Sequence, residues 1–210
     1  ILVSLMEPYT DRGLIDLIAK QNITCFALEL IPRITRAQTM DVLSSQSNLA
    51  GYKAVIEACT TYGKAFPMMM TAAGTVPPAK CLVMGAGVAG LQAIATARRL
   101  GAVVSASDVR PAAKENVESL GAKFIAVEDE EFKQAETSGG YAREMSDEYK
   151  KKQAELIAAT VAKQDIIICT ALIPGKPAPV LLTTEMVDTM KPGSVIVDLA
   201  VCLLYTSDAA

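Results

Sequence analysis

Apolar positions along the chain fall into short runs separated by segments of helical spacing. From residue 81 onward the runs are 81–84, 103–107, 123–127, 165–169 and 194–199. Each is rich in β-branched or other apolar residues and is bounded by Gly, Pro or Asp, as buried strands are. Between them, residues 88–100, 111–120, 142–163 and 183–190 carry apolar residues at helical intervals. This alternation predicts an α/β fold built on a doubly wound parallel sheet.

The first part of the chain reads as strand, helix, strand. Residues 1–6 and 24–30 are the strands. The helix between them carries Leu14, Ile15, Leu17 and Ile18 on its apolar face, with Thr10 or Asp11 as its cap. This is part of a second α/β domain, too small to stand alone. Residues 31–47 are polar, with apolar positions too sparse for a core strand. Residues 49–66 have helical spacing, with Leu49, Tyr52, Val55, Ile56 and Cys59 on one side. Met68, Met69 and Met70 are expected to fill core, and 71–79 to be a Gly/Pro loop. The organisation expected is a truncated first domain over 1–48, a linking helix and loop over 49–79, and a sheet domain over 80–201 that is incomplete at its C-terminal end.

The chemistry concentrates in residues 80–110. After the first buried run come Gly85, Gly87 and Gly90 as G-x-G-x-x-G, then a helix, then a strand ending at Asp108. Gly85 permits the sharp turn, Gly87 lets a pyrophosphate approach the backbone, and Gly90 lets the helix pack on the strand. The helix N-terminus that follows offers unpaired N–H groups to phosphate. A carboxylate ~20 residues on, here Asp108, can accept both hydroxyls of a ribose and repel a 2′-phosphate. The pattern is that of a Rossmann-like dinucleotide site favouring NAD over NADP. Arg110 is expected to stack near the adenine or to be solvated, although an arginine here can also hold a 2′-phosphate.

Composition narrows the functional classes. The chain is 51% hydrophobic and 20% charged with net charge −3, which suits a cored globular fold and argues against a nucleic-acid surface. Its five cysteines, at 25, 59, 81, 169 and 202, show no C-x-x-C pairing, so free thiols in a reducing compartment are expected, with no disulfide framework and no metal. The uncharged stretch 81–97 is short for a membrane span and contains the turn glycines and Gln92. No secretory signal is visible. The chain opens at Ile1 without methionine and is expected to be a fragment. Histidine is absent. Proton transfer near neutral pH most often uses imidazole, so the chemistry needs another acid or base, or no proton transfer at all.

Three further loops are candidates. The polar stretch 31–47 is either a solvated inter-domain loop or a wall closing on the nicotinamide end of a dinucleotide. In 137–141, Thr-Ser-Gly-Gly-Tyr, Tyr141 either swings over a bound cofactor or sits plainly at the surface. Residues 170–179 form a rigid loop at a strand's carboxyl end, where ligands of open α/β sheets bind.

Several of these stretches together resemble one family. They are PRITRAQTMDVLSSQSNLAGYKAVIEA, AAGTVPPAK, GAGVAGLQAIATARRLGA, SDVRP, GGYAREM, TALIPGKPAP and MKPGSVIVDLAV. The chain from Ile1 to about Val201 resembles the NAD(H)-binding domain I of the alpha subunit of proton-translocating nicotinamide nucleotide transhydrogenase. Alanine dehydrogenase is the nearest relative in fold. The resemblance implies hydride transfer from NADH to NADP⁺, coupled to proton translocation. It implies NADP(H) on a partner domain, a membrane proton-channel domain, and a homodimer. The place implied is the cytoplasmic face of a bacterial inner membrane or the mitochondrial matrix side.

Carried over by position, the family's Arg-Gln-Asp loop falls on Arg33, Gln38 and Asp41, with Ser44 following. The ribose acid falls on Asp108, flanked by Val109 and Arg110. The pyrophosphate turn falls on Val88, Ala89 and Gly90, the mobile-loop tyrosine on Tyr141 after Gly140, and the mid-cofactor loop on Thr170 and Leu172. Alanine dehydrogenase uses a catalytic histidine, and the comparable place near Met6 and Glu7 has none. An alanine-dehydrogenase-like oxidoreductase and a non-catalytic NAD(H)-sensing module remain the alternatives. The family's domain has more chain before Ile1 and after Val201. Residues 202–210 depart from the family pattern and are expected to be non-native.

Overall fold

The apolar runs of residues 80–201 pair as expected. In the computed structural model, which describes residues 1–9, 11–32, 34–133, 146–171 and 178–201, five of them form one parallel sheet. They are β5 (Lys80–Met84), β6 (Val103–Ser107), β7 (Lys123–Phe124), β8 (Ile166–Cys169) and β9 (Val195–Asp198), ordered β7-β6-β5-β8-β9. From the central β5 the chain goes first to one side and later returns to the other. The gap between β5 and β8 is therefore the switch point, where ligands sit at strand carboxyl ends.

Period-two alternation divides the core into two layers. Cys81, Val83, Ile166 and Ile168 face one cluster, with Ala93, Ile94 and Ala97 of α3 (Val88–Arg99) and with Ala54, Val55 and Ala58 of α2 (Val42–Thr61). Leu82, Met84, Ile167 and Cys169 face the other, with Ile157 and Val161 of α6 (Asp147–Val161). Ile166, Ile167 and Ile168 are fully buried, each stabilising the fold by roughly 1.5–3 kcal/mol. Short helices α4 (Ala113–Ser119), α5 (Glu130–Lys133) and α7 (Thr184–Asp188) complete the connections.

The N-terminal unit holds β1 (Leu2–Ser4) and β2 (Cys25–Ala27), paired in parallel, with α1 (Arg12–Lys20) between them. Asp11 caps α1 by accepting from Leu14 N–H at 2.9 Å. Beyond β2 the backbone tightens into a 3-10 turn at Leu28–Leu30, so the strand is shorter than its apolar pattern. Glu29 explains the change: its Oε1 accepts from Met6 and Glu7 N–H at 2.6 and 2.7 Å, tying the turn to the end of β1.

The linking segment departs most from expectation. The helix α2 starts at Val42, so only residues 31–40 of the polar stretch precede its cap, and Thr35–Met40 is itself a 3-10 turn. Its buried face is Gly51, Ala54, Val55 and Ala58, while Leu49 and Tyr52 are exposed. Small residues win because α2 packs closely against α3. The three methionines are no core filler: Met68, Met69 and Met70 are exposed. Met69 and Met70 lie in a hairpin of β3 (Met69–Thr71) and β4 (Gly74–Val76), which replaces the expected loop. Among the described residues no helix is long and apolar enough to cross a membrane. Cys25, Cys59, Cys81 and Cys169 are free thiols; residues 202–210 lie outside the described part.

Candidate functional site

The glycine turn sits at the carboxyl end of β5, and each glycine has a distinct environment. Gly85 has φ +102°, a left-handed conformation that favours glycine. A Cβ on Gly90 would lie 1.8 Å from the Gly85 carbonyl oxygen, so the helix start packs directly on the turn. Gly87 caps α3 with φ −78°, and a Cβ there would meet nothing within 4 Å among the described residues. The open space over Gly87 lies at the N-terminus of α3, where the first N–H groups and the helix dipole favour an anion. Val88 is exposed and Ala89 half-buried beside it.

Thr170, just beyond β8, secures the turn from below. Its N–H donates to Met84 O at 2.9 Å and its hydroxyl donates to Gly85 O at 3.0 Å. The hydroxyl is thus committed to the turn. Leu172, which follows it, lies outside the described residues.

Asp108, one residue past β6, is bound into the same turn. Its Oδ2 accepts from Ala86 N–H at 2.7 Å. Arg110 is partly exposed and turns back onto Asp108, a pairing its sequence position did not suggest. Its Nε and Nη2 reach Asp108 Oδ1 and Oδ2, both at 2.9 Å, and its backbone N–H adds a third bond at 2.9 Å. The two residues lie on one tight turn, which brings the guanidinium back onto the carboxylate. Burial pushes the Asp108 carboxyl upward. The Arg110 side chain and the N–H groups of Ala86 and Arg110 outweigh burial and hold the carboxyl below its ordinary value. It is therefore an anion at neutral pH, aimed at the strand's carboxyl end. Val109 between them is exposed.

The polar stretch is positioned by α2. Asp41 caps that helix: its Oδ1 accepts from Ser44 N–H at 2.9 Å and its Oδ2 from the Ser44 hydroxyl at 2.6 Å. Gln38 is exposed in the preceding 3-10 turn, and its carbonyl accepts from Asp41 N–H at 3.2 Å. The helix meets Ala89 at Gly51, near the sheet's carboxyl edge, and the chain beyond its end at Thr61 reaches the amino edge at Phe66, whose carbonyl accepts from Ala79 N–H. Asp41 lies ten residues, or about 15 Å of helix, upstream of the Gly51 contact. Arg33, Gly140 and Tyr141 lie outside the described residues.

Sequence reading missed three supporting contacts. Gly51, a lone glycine in a helical pattern, was the available signal for close helix packing. Gln153 of α6 donates to Ser107 Oγ at 3.3 Å and accepts from Val127 N–H at 2.9 Å; nothing local in the sequence marks that link. The Ala86 N–H to Asp108 bond is a backbone donor and has no signature in residue type.

These groups suit a dinucleotide. Open backbone at Gly87 fits a pyrophosphate, and an anionic carboxylate at the end of β6 fits a sugar diol. Comparison with known proteins agrees. The family model for the alanine dehydrogenase/PNT C-terminal domain matches residues 54–202, and the one for its N-terminal domain matches residues 1–50. The chain belongs to the alanine dehydrogenase/PNT family. Within that family, the chain is 65% identical over 201 residues to an NAD(P) transhydrogenase alpha subunit of Rhodospirillum rubrum, covering 96% of this chain and 52% of that one. It is 30% identical over 198 residues to alanine dehydrogenase of Methanococcus maripaludis, covering 93% of this chain and 46% of the other. A crystal structure of transhydrogenase from Sinorhizobium meliloti superposes with TM-score 0.89 at 63% identity, over 100% of this chain and 56% of that one. The chain thus spans about half the length of the curated relatives it matches.

Proposed function

We propose that the chain supplies the NAD(H) site of a transhydrogenase that moves hydride between NADH and NADP⁺. The observation that carries this is the 2.7 Å bond from Ala86 N–H to Asp108 Oδ2, which ties the phosphate turn and the ribose acid into one unit. Gly85, Gly87, Val88, Ala89 and Gly90 would face the pyrophosphate, and Asp108, Val109 and Arg110 the adenosine end. Thr170 would hold the turn, with Leu172 beyond it. Arg33, Gln38, Asp41 and Ser44 would orient the nicotinamide, with Gly140 and Tyr141 closing over the cofactor.

When bound, NADH supplies the hydride. The chain's residues bind and orient it, and no side chain needs to accept a proton. That fits a sequence without histidine. Oxidative deamination of alanine, by contrast, needs a proton acceptor, and buried Met6 stands near the expected place of that histidine. Identity of 65% to a transhydrogenase subunit, against 30% to an alanine dehydrogenase, favours the same reading. The partners would be an NADP(H)-binding domain and a membrane domain carrying the proton, with a second copy forming a homodimer. The site would face the bacterial cytoplasm or the mitochondrial matrix.

The test mixes the full-length chain with NADH, its NADP(H)-binding partner and an NADP⁺ analogue, and follows analogue reduction. Reduction at the expense of NADH supports the proposal. Tight NADH binding without transfer would instead support a sensing module, and alanine-dependent NAD⁺ reduction an amino-acid dehydrogenase.

A further inference from the structure

The Asp108 carboxylate has little acceptor capacity to spare. Oδ1 accepts from the Arg110 backbone N–H and Nε, and Oδ2 from the Ala86 backbone N–H and Arg110 Nη2. An ionised carboxylate offers about four lone-pair sites, and all are taken. The two backbone donors are held by the chain. The other two come from one side chain that is 37% exposed, whereas the Asp108 side chain is 6% exposed. A vicinal diol that brings two O–H donors to Asp108 must therefore take the places the guanidinium holds.

We propose that Arg110 is the resident competitor of the adenosine ribose. Its guanidinium holds the acceptor sites of Asp108 that the ribose hydroxyls need, gives way when NAD(H) binds, and so sets both affinity and discrimination against a 2′-phosphate. This rests on the reading of Asp108 as the ribose acceptor. The guanidinium fork presents two N–H donors side by side, as a vicinal diol presents two O–H donors, and neutralises the carboxylate until ligand arrives.

A second consequence concerns NADP(H). The same fork is shaped to hold phosphate bidentately. With Asp108 beside it, an arriving 2′-phosphate meets an anion and must also draw Arg110 away from its partner. Without the carboxylate charge, the 2′-phosphate no longer meets an anion, and the fork no longer has that anion as its partner. Discrimination thus resides in the pair, and Arg110 alone is a latent phosphate ligand.

The experiment titrates NADH and NADPH separately into the full-length chain by nicotinamide fluorescence, for the parent, R110M, D108N and the double variant. Thermal melts establish that each is folded. R110M keeps the stem and removes the fork, so it is expected to bind NADH roughly fivefold more tightly, the size of a partly exposed ion pair. D108N is expected to lose NADH affinity about tenfold or more and to bind NADPH more tightly than the parent, and the double variant to lose that NADPH gain. If R110M does not fold, R110L, which also removes the charge and the fork, is expected to show the same direction for NADH. An R110M or R110L chain that binds NADH no better than the parent overturns the competitor role, even where D108N is weakened. A D108N chain with undiminished NADH affinity overturns the ribose reading and the inference with it.

Discussion

Gly51 of α2 meets the backbone of Ala89 on α3 with no room for a side chain: a Cβ on Gly51 would lie 2.0 Å from the Ala89 carbonyl oxygen. This contact joins the helix that carries Asp41 to the helix that begins at the glycine turn. Alanine is the better helix former by ~1 kcal/mol, so helix propensity alone would make Gly51→Ala stabilising. The backbone clash predicts the opposite, a net loss of about 2 kcal/mol or more, with weaker NADH binding because α3 must shift. Denaturant midpoints and an NADH titration on the same preparation check both effects.

The two later glycines of the turn separate binding from folding. Gly87→Ala places a Cβ in open space at an ordinary φ, so the melting temperature should stay within a few degrees of the parent. NADH affinity should fall at least tenfold, because that space is the pyrophosphate's approach. Gly90→Ala drives a Cβ into Gly85 O and should destabilise the fold itself. Equal melting losses in the two variants would contradict this division.

Asp41 combines a cap with a proposed place beside the nicotinamide. Asparagine caps a helix about as well as aspartate, so Asp41→Asn should change stability by less than about 0.5 kcal/mol. Under the proposed function it should slow hydride transfer more than it weakens NADH binding, as should Gln38→Ala. Rates measured at saturating NADH, beside the binding titration, give the split. Equal losses in both would count against an orienting role.

Asp198 ends β9 and pairs in register with Cys169. Its Oδ1 accepts from Ala200 N–H at 2.9 Å, while its Oδ2 is buried with no hydrogen-bond partner among the described residues. Burial raises its pKa, only partly offset by the Ala200 N–H. A raised folded pKa means that its protonation favours the fold below the ordinary carboxylate range, and that this stability is lost as pH rises through the folded value. Asp198→Asn should therefore melt above the parent at neutral pH, and the gap should close as pH falls through the carboxylate range. A lower melting temperature at neutral pH would contradict the assignment.

The sheet was legible because its strands are buried on both faces, which leaves continuous apolar runs such as 166–168, and because Gly85, Gly87 and Gly90 stand where only a turn explains them. The place of Asp108 just past β6 was legible from its spacing. The pairing of Arg110 with Asp108 was not legible, because the direction of a side chain after a strand depends on turn geometry, which residue order does not carry. The methionines misled for a related reason: an apolar hairpin strand and a core strand share one pattern, and exposure is decided by what packs above them. In α2 the apolar side chains drew attention to Leu49 and Tyr52, whereas close approach to α3 selected glycine and alanine for the buried face.

The central claim is that one NADH lies across the glycine turn with its ribose on Asp108. The most direct measurement is a crystal structure of the full-length chain with NADH bound. The account predicts pyrophosphate over Gly87 at the start of α3, both ribose hydroxyls on the Asp108 carboxylate, and the nicotinamide open to a docking partner on the side of Gln38 and Asp41. A dinucleotide bound away from the turn, or a nicotinamide sealed inside the chain, would contradict it.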